Sequence, residues 1–217
     1  MLWRGQSLSA PPLIGNAWGM TTFQFPKSMI TRPVYGKLAA RMGPAHLMIA
    51  DEDGAEALLD LATPDLMAKT YVFHITKSRA WVQRLTDAKP AQFYVAPSYP
   101  ASVSRLRKVL ADAHMGLQIS LAGTEGLIGQ AQSEVLAAGY TLDAIQTEHR
   151  GSVARRMQCV HCKGITEDVL TDPFVCAHCG LNLFVRDHYS RRIAAFQGVC
   201  IDAEDPGQVP LQKALYS

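Results

Sequence analysis

Four of the chain's five cysteines fall into two tight pairs, Cys159 with Cys162 and Cys176 with Cys179, in the pattern C-x2-C-x13-C-x2-C. Two residues between thiols let one turn aim both sulfurs at a single ion, and a second such turn completes a tetrahedron. Gly164 and Gly180, just beyond each pair, are expected to supply the positive-φ freedom that these turns need. Four soft thiolates suit Zn²⁺, with iron as the rival. They leave no open position for water or substrate, so the metal is expected to be structural, holding together a zinc ribbon too small to have much core. His161 and His178 lie inside the pairs and read as exposed bystanders. This cysteine usage fits a reducing compartment better than a disulfide framework. The fifth cysteine, Cys200, sits in the apolar string FQGVCI and reads as a buried, inert thiol.

Ahead of the cysteines the sequence alternates between two hydrophobic periods. Short apolar runs at His46–Ala50, Thr70–Ile75, Gln92–Val95, Leu117–Leu121 and Ala144–Thr147 read as strands. Between them, helices are expected through GAEALLDLA, with Leu58, Leu59 and Ala62 on one face, and over Arg79–Leu85, Ala101–His114 and Gly126–Ala138. Parallel strands need crossover helices, so this rhythm predicts an α/β fold: an open, parallel, doubly wound, Rossmann-like sheet of five strands. Ligands of such sheets sit at the carboxyl ends of the strands, which here are the loops after Ala50, Ile75, Ala96 and Leu121.

The chain divides into three parts. Residues 1–33 carry four prolines, scattered aromatics and no sustained period, and read as an extended arm. Its Trp3, Trp18, Phe23 and Phe25 pack either on the protein's own core or on a partner. Residues 34–150 form the α/β domain, and residues 151–217 the cysteine module with a C-terminal tail that is expected to wrap back over the body.

Charge narrows the function classes. The net charge is only +2 with 18% charged residues, so no global field selects nucleic acid, a membrane surface or an acidic substrate. The stretch 151–217 holds seven basic and seven acidic residues, whereas a nucleic-acid module needs a basic excess for phosphate contacts; a nucleic-acid-binding regulator is therefore the lesser alternative. No apolar run approaches the roughly 20 residues of a membrane helix, and a cytoplasmic protein is expected. One local patch stands out, VRDHYSRR, with Arg186, Asp187, His188, Tyr189, Arg191 and Arg192. It is either a solvated face with an internal Arg–Asp pair or an interface strip, since arginine beside an aromatic is the composition that anchors interfaces.

Leu121 to Ser152 resembles the end of the pyridine-nucleotide domain of ferredoxin-reductase-like flavoenzymes, with Ala122-Gly123-Thr124 in place of the family's Cys-Gly-Pro turn and Glu148-His149-Arg150 in place of its Glu-Arg-Phe-like signature. Where that family has a glycine-rich loop, this chain has Asp51-Glu52-Asp53-Gly54. Three carboxylates there repel a pyrophosphate, and the lost glycines block close backbone approach. The flavin-binding barrel is missing as well, so this is a degenerate NAD domain with no hydride-transfer site of its own and no catalytic residue. The cysteine pairs and VRDHYSRR on such a body resemble the small zinc-containing subunit of the dimethylamine monooxygenase family, also called haem-dependent oxidative N-demethylase. The resemblance implies a non-catalytic subunit of a hetero-oligomer that docks a haem-containing oxygenase subunit and a flavin/iron–sulfur reductase subunit. It places structural zinc on Cys159, Cys162, Cys176 and Cys179, and haem, FMN, a 2Fe–2S cluster and NADPH on the partners only. A rubredoxin-like iron electron carrier is the alternative for the same four thiolates.

Overall fold

The computed structural model describes residues 31–215, and from Arg32 onward the chain forms one compact unit. The arm expected over 1–33, including Trp3, Trp18, Phe23 and Phe25, lies outside the described residues except for Thr31 to Pro33.

The first part alternates as β1 (Ala45–Ala50), α1 (Gly54–Leu61), α2 (Pro64–Met67), β2 (Thr70–Ile75), α3 (Val82–Asp87), β3 (Gln92–Ala96), α4 (Tyr99–Asp112), β4 (Leu117–Gly123), α5 (Glu125–Ala137) and β5 (Ile145–His149). The strands form a five-stranded sheet in the order β3-β2-β1-β4-β5, parallel throughout. Each expected strand is present with its ends moved by two residues at most. The helix expected over Arg79–Leu85 is shifted to Val82–Asp87, and the short α2 was not anticipated.

Alternation along the strands builds two cores. Leu47, Ile49, Phe73, Ile119 and Leu121 point to one face, where Leu106 and Leu110 of α4 and Leu127, Ile128 and Val135 of α5 cover them. Met48, Ala50, Val72 and Ala122 point to the other, under Ala55 and Leu58 of α1, Leu66 and Met67 of α2 and Leu85 of α3. Leu58 is fully buried while Leu59 and Ala62 are only half-buried, so the α1 stripe is narrower than the sequence suggested. Burying a side chain of Leu or Phe size contributes about 1.5–3 kcal/mol, and these two faces hold most of the buried apolar side chains among the described residues. The edge of β5 is covered by the segment before β1. Gly36 N donates to Thr147 O (3.0 Å), the Gln146 side chain bonds both backbone groups of Ala39 (3.0 and 2.9 Å), and Leu38 N donates to Glu148 Oε2 (2.7 Å).

The second part contains β6 (Arg155–Cys159), β7 (Ile165–Val169), β8 (Thr171–Asp172), β9 (Phe174–Val175), β10 (Asn182–Ser190), β11 (Ala195–Cys200) and β12 (Lys213–Ala214). Five of these form a sheet in the order β7-β6-β11-β10-β9 around Met157, Phe174, Leu183, Tyr189 and Phe196. The tail returns onto the cysteine-bearing part itself: β12 pairs antiparallel with β8, and Leu215 N donates to Leu170 O (2.8 Å). The turn between β10 and β11 docks on α5, where Ser133 Oγ donates to Arg192 O (2.8 Å). Among the described residues no helix is long and apolar enough to cross a membrane.

Candidate metal centre

Cys159 ends β6, Cys162 follows one turn later, and Cys176 and Cys179 close a matching turn between β9 and β10. Each turn is built the same way. Lys163 N donates to Cys159 O (3.0 Å) and Cys159 N to Gly164 O (3.0 Å); Gly180 N donates to Cys176 O (3.0 Å) and Cys176 N to Leu181 O (2.9 Å). The second cysteine of the first turn and the first of the second accept backbone N–H groups at sulfur, Gly164 N at Cys162 Sγ (3.4 Å) and His178 N at Cys176 Sγ (3.5 Å). Such donors stabilise thiolates. Burial pushes the Cys176 thiol up, but amide donors from Cys179 and His178 outweigh it and hold that thiol below its ordinary range.

All four Sγ atoms lie within 4.8 Å of one another, with Cys159 to Cys179 at 3.8 Å and Cys162 to Cys176 at 3.7 Å. A tetrahedral ion with metal–sulfur bonds of about 2.3 Å spaces its sulfurs about 3.8 Å apart, so the cluster fits a four-coordinate metal ion. Two expectations change here. Positive φ falls on Gly180 (φ 74°) as expected, but in the first turn it falls on Lys163 (φ 63°) and not on Gly164. Gly164 is needed for space, because a Cβ there would lie 2.4 Å from the His178 ring. His178 is also no bystander. Though exposed, its Nε2 bonds Ile165 O (2.8 Å) and ties one cysteine turn to the other.

At the carboxyl ends of β1 and β4, where the strand order reverses and ligands of open parallel sheets bind, the protein's own carboxylate fills the crevice. Asp51 Oδ2 accepts from Thr124 N (2.8 Å) and Thr124 Oγ1 (2.7 Å), and its Oδ1 from Gly54 N (3.3 Å). The carboxylate thereby takes backbone N–H groups at the starts of α1 and α5, the donors that bind phosphate in other sheets of this kind. Burial pushes its pKa up, partly offset by the Thr124 and Gly54 donors. Gly123 is required by this arrangement, since a Cβ would meet Asp51 Oδ1 at 2.0 Å. Glu52 reaches across to the Thr76 hydroxyl and Ser78 N, and only Asp53 of the three stays exposed. The acidic loop therefore blocks the crevice by occupying it, not by standing open as a repelling charge. Glu148 and Arg150 are likewise committed: buried Glu148 joins Leu38 N to Arg150 (2.8 Å), which reaches Glu56 and Asp60 of α1.

Residues 27–145 match the N-terminal domain, and residues 156–199 the C-terminal domain, of the dimethylamine monooxygenase subunit DmmA-like family. The chain belongs to the DmmA-like family. It is 35% identical over 146 residues to the heme-dependent oxidative N-demethylase delta subunit of Ectopseudomonas mendocina (strain ymp), covering 62% of this chain and 83% of that protein. No solved structure matches the chain.

In this DmmA-like chain the VRDHYSRR strip is split by the fold. Arg186, Asp187, His188, Arg191 and Arg192 are exposed, whereas Tyr189 is 5% exposed and packs on Phe196 (ring centroids 4.9 Å). A register shift in the β10–β11 pairing between Arg186 and Tyr189 produces this division. Asp187 pairs with buried Arg155 (2.9 Å), whose guanidinium lies over Phe196 (4.2 Å), a partnership between β6 and β10 with no signal in the sequence. Cys200 is half-buried, not buried. Its Sγ bonds Asp202 Oδ1 (3.3 Å), and this contact and burial push the thiol up, away from reactivity.

Proposed function

We propose that this chain is the non-catalytic, zinc-stabilised subunit of a multi-subunit, NADPH-dependent dimethylamine monooxygenase, an oxidative N-demethylase, and that it docks the flavin/iron–sulfur reductase subunit and the haem subunit. The observation that carries the reading is the double closure of its reactive positions. Four sulfurs fill a tetrahedron, and the Asp51 carboxylate fills the crevice between β1 and β4. Zinc bound by Cys159, Cys162, Cys176 and Cys179 would act as a cross-link between the two cysteine turns, with no site for water or substrate. Residues 34–150 then serve as a degenerate reductase-like, Rossmann-like domain and 151–217 as a zinc-ribbon module, while haem, FMN, the 2Fe–2S cluster and NADPH reside on the partners. The exposed Arg186, Asp187, His188, Arg191 and Arg192 are the proposed docking strip, with Tyr189 anchoring it from inside.

The test uses the full chain alone and co-expressed with its partner subunits. Alone, it carries about one zinc, no flavin or haem, and oxidises no NADPH in the presence of dimethylamine. Turnover by the isolated chain would overturn the reading. The double variant Arg191→Ala with Arg192→Ala keeps its metal but loses co-purification with a partner; unchanged assembly would make the strip a solvated face. Iron in the same thiolates would show as visible absorption, which zinc lacks.

A further inference from the structure

The crevice at the carboxyl ends of the strands is filled, but the opposite pole of the same sheet is open. A cavity of about 510 Å³ lies where β1, β2, β3 and β4 begin, bounded on one side by α4. Its apolar wall comes from Leu47, Tyr71, Val109 and Leu117. Its charged groups are Lys69, Arg105, Lys108 and Asp112, three cations against one carboxylate. Lys108 is paired with Asp112 (3.0 Å), and Lys69 Nζ bonds the carbonyl of Gly43 (2.9 Å), so the positive charges of Lys69 and Arg105 are not neutralised by an acid.

Arg105 is held in a specific pose. Its guanidinium lies over the Tyr94 ring (4.8 Å) and near the Tyr71 ring (5.7 Å), and its Nε donates to the Tyr71 hydroxyl. Two aromatic faces and a phenol thus fix one edge of the group, and its two terminal amino groups have no partner among the described residues. A fixed guanidinium with free parallel donors is the geometry that binds a carboxylate or similar oxyanion through two hydrogen bonds. The cavity has the volume of sites that enclose small organic ligands, roughly 300–1,000 Å³.

We propose that this pole binds a small amphipathic organic anion, its apolar or aromatic body against Val109, Ala113 and Leu117 and its oxyanion head on Arg105, with Lys69 adding long-range attraction. The site is independent of the cysteine cluster and of the docking reading.

The experiment titrates the full-length, metal-replete protein with anilinonaphthalene sulfonate, an aromatic anion that fluoresces on leaving water, and with the uncharged N-phenylnaphthylamine. The anion binds saturably at one site and more tightly than the neutral probe. Arg105→Gln, an exposed position, raises the anion's Kd about tenfold, the loss of one charge-assisted contact, and leaves the neutral probe unchanged. Ala113→Trp, which fills the cavity from its rim, removes saturable binding of both probes while the unfolding temperature confirms a folded chain. Absence of saturable binding to the wild type overturns the proposal, as does equal affinity for the two probes. So does anion binding that Arg105→Gln and Ala113→Trp leave unchanged, because the probe then sits elsewhere.

Discussion

Two side chains carry more of this fold than their position in the sequence suggests. Asp51 joins the loop after β1 to the start of α5, and truncating it strands two backbone N–H groups and a hydroxyl. Asp51→Ala should cost about 2–4 kcal/mol in urea unfolding, and Asp51→Asn less, because the amide oxygen still accepts. His74, fully buried on β2, bonds Ala50 O through Nδ1 (3.3 Å), and burial holds its pKa below the ordinary value; buried His46 is lowered in the same way. The unfolded chain therefore binds protons from about pH 6.5 downward while the folded imidazoles do not. Stability is retained above that pH and falls as pH drops from it toward the folded values, by up to about 1.4 kcal/mol per unit for each imidazole. Burial raises the carboxyls of Asp51 and Glu125, which act in the opposite sense on acidification, so the comparison of wild type with His74→Gln isolates the imidazole. The variant should show a flatter stability profile between about pH 5 and 6.5; an unchanged slope would mean that His74 does not titrate on unfolding.

At the scale of elements, α5 joins the parallel sheet to the cysteine-bearing part by packing on β6 and by receiving the β10–β11 turn. The docking of that turn depends on a missing side chain. A Cβ on Gly129 would meet Tyr189 Oη at 2.3 Å and Ala194 Cβ at 3.0 Å. Gly129→Ala should destabilise by about 1–3 kcal/mol despite the better helix propensity of alanine, and Tyr189→Phe should recover part of that loss, since it removes the closer atom. Additive effects of the two changes in thermal unfolding would refute the contact. The strands of the parallel sheet were legible in the sequence because runs such as TYVFHI alternate between two buried faces and are bounded by turns. The four-residue α2 was not, being too short for a period, and α3 begins late because Trp81 at its N-cap makes no side-chain cap bond that would mark the start. The strands after Gly151 show no clear period, since their order is set by the cysteine turns and by partners such as Lys213 for Asp172 that lie far apart in the chain.

For the whole molecule, the four cysteines could be named from spacing alone, because their geometry is local to two turns. The roles of Asp51, His178 and Arg155 could not, because each depends on a partner brought near only by folding: Thr124, Ile165 and Asp187 respectively. The tail folds back onto β8 of its own cysteine-bearing part, while the strip VRDHYSRR proved to be an exposed arginine surface with a core tyrosine inside it. Folding thus yields a body whose crevice at the strand ends is filled by its own carboxylate and whose four cysteine sulfurs lie close enough together to hold one metal ion. Zinc K-edge X-ray absorption on the purified full chain tests this most directly. The account predicts four sulfur scatterers at about 2.3 Å and no lighter ligand; an oxygen or nitrogen scatterer at about 2.0–2.1 Å, standing in for one thiolate, would contradict it.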